Sequence, residues 1–278
     1  MEISQKIAVV TGASSGLGAA LAHALVEKGA TVYGLARNLE KLDALQKQLG
    51  KTFFPVQMDI TNQKAMAAWV KKTFSDAYIP NILINNAGVG YFYKIDELPL
   101  QRWHDMIDTN LNGIFYITSK IVPLMKKNNA SSHIINIGSI LGKTTRLDSA
   151  AYSATKYGIQ GFSEALSKEL RTYNIKVTCV NPGSIETCFF EQSGIEVHSN
   201  MLQPKDIAAL IIHVLETPFN MLIDEITLRP LQPKMNQVEQ KEPSSPVCYA
   251  NSSEVRKEFK DEEPLKAKFV SIPIKPKD

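Results

Sequence analysis

The chain has 278 residues, 44% of them hydrophobic and 21% charged, with a formal net charge of +3. That apolar fraction suits a folded globular protein and is too high for a disordered one. So small a net charge leaves no footprint for nucleic acid, and no apolar run approaches the ~20 residues that cross a membrane.

Short apolar runs alternate with longer segments of helical period. The first half predicts strand Ile7–Thr11, helix Leu17–Lys28, strand Thr31–Leu35, helix Leu39–Leu49, strand Thr52–Met58, helix Gln63–Phe74 and strand Ile82–Asn85. The second half predicts helix Leu100–Lys127, strand His133–Ile137, helix Ala151–Thr172, strand Lys176–Val180, helix Pro204–Leu215 and strand Ile223–Leu228. In the first helix Leu17, Leu21, Ala24 and Leu25 share a face, and Gly29 stands where a helix stops. The strands are continuously apolar, so both faces of the sheet are expected to be covered. Such alternation predicts an α/β fold: one three-layer, doubly wound parallel sheet in a single domain spanning residues 1–231. Residues 232–278 differ, with 17 charged side chains, 6 of the 14 prolines and no glycine in 47 residues. They read as a polar, flexible tail with little apolar area to offset its ordering entropy, although 270–274 has the composition of an edge strand.

Cys179, Cys188 and Cys248 show no metal or disulfide spacing, and His104, His133, His198 and His213 show no ligand spacing. No metal is expected. Cys179 reads as a small buried hydrophobe. The start of the chain has no signal-peptide shape, and together these features point to a reducing, cytoplasmic setting.

Three stretches carry chemistry. Thr11-Gly12-Ala13-Ser14-Ser15-Gly16-Leu17-Gly18 joins the first strand to the first helix. Glycines permit a tight turn and let backbone approach a pyrophosphate, whose charge suits a helix N-terminus. The spacing is GxxxGxG rather than GxGxxG, and a plain strand-to-helix connection could also use it. The second strand ends in Ala36-Arg37 without a carboxylate. An acidic residue there binds ribose hydroxyls, whereas an arginine accepts a 2′-phosphate; the bland alternative is a solvated arginine. Finally, Tyr152 and Lys156 are spaced to share a helix face, where a cation would favour the phenolate. Ser139 follows a strand end, where open α/β sheets place ligands. Asn110 is a polar residue in an apolar helix, and reads equally as a hydrogen-bonded core asparagine.

Together these residues resemble the short-chain dehydrogenase/reductase family over roughly residues 5–230. The likeness adds Asp59 after the third strand, Asn85-Asn86-Ala87-Gly88 after the fourth, Tyr152-Ser153-Ala154-Thr155-Lys156, and Pro182-Gly183-Ser184-Ile185-Glu186-Thr187. The resemblance implies a Rossmann-type sheet, an NAD or NADP cofactor, and hydride transfer between nicotinamide and a small-molecule alcohol or carbonyl. It makes Tyr152 the acid-base and has Ser139 orient the substrate oxygen. Lys156 holds the nicotinamide ribose and lowers the tyrosine pKa, while Asn110 holds the water of a proton relay. Gly12, Ser14, Ser15, Gly16, Leu17 and Gly18 form the cofactor turn, with Arg37 selecting NADP over NAD. Asp59 and the Ile60 amide meet adenine, Asn85 and Gly88 line the adenosine ribose, and Ile185 and Thr187 contact carboxamide and phosphates. The resemblance also implies a homodimer or homotetramer through the two long helices. The substrate pocket falls to loops 90–96, 140–150 and 184–203, with Phe189, Phe190, Ile195 and Met201 as pocket wall or packed loop.

Two other readings share these motifs. A non-catalytic nucleotide-binding sensor or interaction protein would make use of the tail but needs no acid-base. A nucleotide-sugar epimerase or dehydratase shares the Tyr/Lys pair, but favours a different glycine spacing and a longer substrate region.

Overall fold

The computed structural model describes residues 1–128, 130–187, 189 and 200–232. Its strands are β1 (Ile7–Thr11), β2 (Thr31–Ala36), β3 (Phe53–Gln57), β4 (Ile82–Asn85), β5 (Ser132–Ile137), β6 (Ile175–Pro182) and β7 (Glu225–Leu228). Its helices are α1 (Gly16–Glu27), α2 (Leu39–Leu49), α3 (Gln63–Thr73), α4 (Leu100–Ile107), α5 (Gly113–Met125), α6 (Ala150–Leu170) and α7 (Pro204–Leu215). The strands form one sheet in the order β3-β2-β1-β4-β5-β6-β7, and every neighbouring pair is parallel. The doubly wound, Rossmann-type sheet predicted from the alternation is therefore present.

Strand residues alternate strictly between two cores. Ala8, Val10, Val32, Ile82, Ile84, Ile135 and Val180 pack with α1, α2 and α7 on one face. Val9, Leu35, Leu83, Ile134 and Val177 pack with α3, α5 and α6 on the other. That period of two, with apolar residues at both phases, produces the continuously apolar strands. The edges are guarded: β3 carries Pro55, and β7 is four residues long.

Two expectations need correction. The single helix expected over Leu100–Lys127 is α4 and α5 joined by a π-helical turn, Asp108–Asn112. Pro123, by contrast, is accommodated inside α5. The third strand starts at Phe53, because Gly50–Thr52 forms a 3-10 turn first. The tail at 233–278, including 270–274, lies outside the described residues, as do Cys188, Phe190, Ile195, His198 and Cys248.

Sheet order decides where a ligand can enter. From β1 the chain winds outward through β2 and β3 on one side, then returns to β4 and winds outward on the other. The crossover connections diverge there, leaving a crevice beyond the strand C-termini.

His133 of β5 is fully buried, and its Nε2 shares a 2.8 Å hydrogen bond with the Thr178 hydroxyl. Nδ1 has no hydrogen-bond partner among the described residues. Burial, aided by the nearby Lys176 charge, pulls its pKa down to about 3. Between that value and the ordinary ~6.5 the unfolded chain binds a proton that the folded chain does not, so acidification favours unfolding. Urea unfolding at pH 7 and at pH 4.5 should show wild type losing stability at up to ~1.4 kcal/mol per pH unit from this group. His133→Leu, whatever its stability at pH 7, should lose less over the same interval.

Candidate active site

Backbone conformation at the end of β1 explains the glycines. Gly12 and Gly16 adopt φ of +68° and +53°, in the left-handed region that disfavours side chains. A Cβ on Gly18 would stand 2.2 Å from the Gly12 carbonyl oxygen and 2.6 Å from Asn86 Nδ2. Ser15 is the N-cap of α1, yet its side chain makes no capping bond and the first turn has no acidic residue. The helix therefore presents N–H groups toward the crevice without a side-chain anion.

The turn is tied to the next strand along. Thr11 Oγ1 accepts the N–H groups of Asn86 and Ala87, each at 3.0 Å. In return, Asn86 Nδ2 donates to the Thr11 carbonyl at 2.9 Å.

A cleft of about 640 Å³ opens over these strand ends. Gly12, Ser14, Ser15, Gly16, Leu17, Arg37, Asp59, Ile60, Gly88, Ser139, Tyr152, Lys156, Ile185 and Thr187 all line it. Three predicted residues do not. Gly18 is turned inward against Gly12, where its missing side chain makes the close approach possible. Asn85, expected at the ribose, is 1% exposed, and its amide donates to Thr118 Oγ1 (3.1 Å) and Asn136 Oδ1 (2.8 Å). As the last residue of β4 it is held inside the sheet, and Asn86, just past the strand, forms the wall instead. Asn110 is fully buried in the π-helical turn. Its Oδ1 accepts the Val89 N–H at 2.9 Å, and its Nδ2 donates to the Val89 carbonyl (2.8 Å) and Thr155 Oγ1 (3.0 Å).

At the reacting end Ser139, Tyr152 and Lys156 are each less than a tenth exposed. One helical turn separates Tyr152 from Lys156, whose Nζ lies 5.6 Å from the phenol ring centre and donates to the Ile137 carbonyl at 3.0 Å. The Ser139 N–H donates to Asn181 Oδ1 at 3.2 Å. Burial pushes the Tyr152 phenol up to about 12, against a Ser139 hydrogen bond and the Arg146 charge, which lower it. Burial also pulls Lys156 down to about 8. Desolvation thus outweighs the two contacts that lower the tyrosine. Phe92 and Phe189 flank Tyr152, with ring centres 5.3 and 6.0 Å away.

Lys41 and Asn38 also line the cleft, beside Arg37. Nothing in the strand pattern marked Lys41, but it falls in the first turn of α2, which Asn38 caps through the Lys41 N–H at 2.9 Å. Among the described residues no cluster of His, Cys, Asp or Glu could hold a metal ion.

A glycine turn at one end of a cleft and a Ser/Tyr/Lys group at the other are the parts of a nucleotide-dependent α/β enzyme, and relatives of that kind exist. The family model described as short chain dehydrogenase matches residues 6–196. An uncharacterized oxidoreductase of Staphylococcus haemolyticus is 35% identical over 231 residues, covering 83% of this chain and 99% of that protein. The closed form of serine dehydrogenase complexed with NADP+ superposes with a TM-score of 0.74 at 28% identity, over 80% of this chain and 93% of that one. A 3-ketoacyl-(acyl-carrier-protein) reductase from Brucella melitensis, complexed with NADH, gives 0.75 at 25% identity, over 82% and 98%. This chain belongs to the short-chain dehydrogenase family of oxidoreductases.

Because Gly18 has no room for even a methyl, Gly18→Ala should weaken binding of a reduced nicotinamide dinucleotide about tenfold or more, read by titration of nucleotide fluorescence. Gly161→Ala is the control. A methyl there meets nothing within 4 Å, so nucleotide binding should be unchanged.

Proposed function

We propose that the protein is an NADP(H)-dependent carbonyl reductase or, in the reverse direction, an alcohol dehydrogenase. One observation carries this reading: Ser139, Tyr152 and Lys156 converge in the same cleft as the glycine turn. The residues fit a dinucleotide. The open α1 N-terminus and the bare backbone at Gly12 and Gly16 suit a pyrophosphate, with Thr187 packed beside Gly16. Asp59, Ile60 and Gly88 suit the adenosine, and Ile185 the carboxamide. Among solved relatives, serine dehydrogenase holds NADP+ and the Brucella reductase NADH, so the choice between them rests on this chain's own side chains. Arg37 and Lys41 stand together where a carboxylate would repel a phosphate. The NADP preference is therefore assigned to both cations rather than to Arg37 alone.

When bound, NADPH supplies the hydride. Tyr152 donates its hydroxyl proton to the carbonyl oxygen, which Ser139 holds with a second hydrogen bond. A phenol pushed up to about 12 is fully protonated at neutral pH and serves as an acid. The Lys156 ammonium stabilises the phenolate left behind. Asn110 acts as a positioning residue, fixing Val89 and Thr155, the neighbour of Lys156. We further assign a homodimer or homotetramer to the outer face of α5 and α6, where Phe115 and Tyr157 are about half exposed, and a cytoplasmic location. Among the described residues no helix is long and apolar enough to cross a membrane.

Tyr152→Phe should lower kcat for carbonyl reduction by ~10²–10⁴-fold while NADPH binding stays within about threefold of wild type. A mutant that keeps wild-type turnover removes the acid role. In kcat/KM, Arg37→Ala and Lys41→Ala should each reduce the NADPH-over-NADH preference, by roughly 5- to 30-fold. The double mutant should erase it, since each charge-assisted contact is worth ~1–2 kcal/mol in an open site.

A further inference from the structure

The reacting end of the cleft contains a cation, Arg146, that has no ionic partner among the described residues. Arg146 lies in the loop before α6 and lines the cleft. Its guanidinium carbon stands 4.4 Å from the centre of the Phe92 ring, and Phe92 packs on Tyr152 at 5.3 Å. The cation is therefore one ring away from the phenol. Its position is built from the helix that carries Tyr152. The Arg146 N–H donates to Ser149 Oγ at 3.2 Å, that hydroxyl donates back to the Arg146 carbonyl at 2.6 Å, and it also meets Ser153 Oγ at 3.1 Å. Asp148, at φ +60°, gives its carbonyl to the Tyr93 N–H at 2.9 Å, which joins this loop to the segment bearing Phe92.

Among the described residues, charge at the reacting end is one-sided. Among the described residues no carboxylate lies within ion-pair range of Arg146, whereas nearby Lys143 is paired with Glu225. Asp59 is the one described carboxylate that lines the cleft, and it follows β3, at the glycine-turn end. Arg146 and Lys156 thus face the reacting end with no described anion beside them. A guanidinium offers a planar pair of donors matched to a carboxylate, and stacking on a ring fixes its plane in advance. Phe92, Leu141 and Phe189 supply apolar wall around it.

We propose that the substrate of this cleft is an oxo acid, or the hydroxy acid into which it is converted, with the carboxylate held by Arg146. This rests on the reductase reading above. Tyr152 and Ser139 take the carbonyl oxygen, while Phe92, Leu141 and Phe189 take the carbon chain. The carbonyl carbon gains a hydride from NADPH, which becomes NADP+, and the oxygen gains the Tyr152 proton. The carboxylate is unchanged.

The test is NADPH-dependent reduction of pyruvate, acetoacetate and levulinate, each beside its own methyl ester. At least one acid should exceed its ester by about tenfold or more in kcat/KM, chiefly through KM, and the ratio should shrink as salt screens the exposed guanidinium. Arg146→Gln should bring that ratio to about one, while Arg146→Lys keeps part of it; thermal unfolding of both variants checks that they are folded. Esters that match or outperform their acids in all three pairs overturn the proposal, as does a ratio that survives in Arg146→Gln. Absence of turnover with every compound counts against the reductase reading instead. Calorimetric titration of the same acids and esters into the NADP+-loaded protein then decides the anion site: binding confined to the acids and lost in Arg146→Gln supports it, and equal or absent binding overturns it.

Discussion

Where β1 ends, the chain must leave the sheet between two hydrogen-bonded neighbours, and one reciprocal contact holds that exit. The Thr11 hydroxyl takes both N–H groups of the Asn86-Ala87 segment, and the Asn86 amide answers to the Thr11 carbonyl. Without it, the backbone polar groups at the two strand ends would need water or other partners just where the crevice opens. The contact is so close that a side chain at Gly12 would come within 2.9 Å of Ala87 Cα. Turn, helix N-terminus and cleft wall all take their positions from it.

A second set of polar contacts runs through the sheet toward the reacting end. Asn85 reaches Asn136, and Asn136 donates to Ser163 of α6 at 2.9 Å. Farther along, Asn181 holds the Ser139 backbone and donates to Gln160, which in turn donates to Glu225 on β7. Each such bond adds only ~1 kcal/mol net, but leaving one member unpaired costs ~1–3 kcal/mol, so the groups hold each other to a single arrangement. The same burial moves Tyr152 and Lys156 in opposite directions, each toward its neutral form. At neutral pH the phenol is still protonated and the lysine still largely an ammonium, so a proton donor and a cation stand side by side.

Most of the fold was legible because the pattern that encodes it is local. Strands apolar at both phases and helices with a buried stripe announce a covered parallel sheet, and Gly29 marks a helix end. The glycine turn and the Tyr152/Lys156 spacing were legible for the same reason. What escaped depends on where a strand stops or how a helix is wound. Asn85 and Asn86 are chemically identical neighbours, and only the end of β4 decides which faces the cleft. The π-helical turn at Asp108–Asn112 has no composition of its own. Lys41 and Arg146 joined the cleft through the placement of α2 and of the loop clamped by Ser149, contacts that no spacing rule contains.

That π-helical turn has a consequence for the phase of the helix beyond it. Five residues make the loop of backbone that turns Asn110 inward, and after it Ile114, Ile117, Ile121 and Met125 face the sheet. Wound as ordinary α-helix, the same five residues would rotate everything beyond them by up to ~100° relative to α4. The apolar stripe of α5 would swing off the core, and Gly113, which has no room for a side chain against Ile60, would be replaced there by a bulkier neighbour. The wide turn takes up one residue more than ordinary winding would, and so holds the two helices in phase. Here the winding is itself a structural parameter, as strict as the identity of any side chain in the cleft.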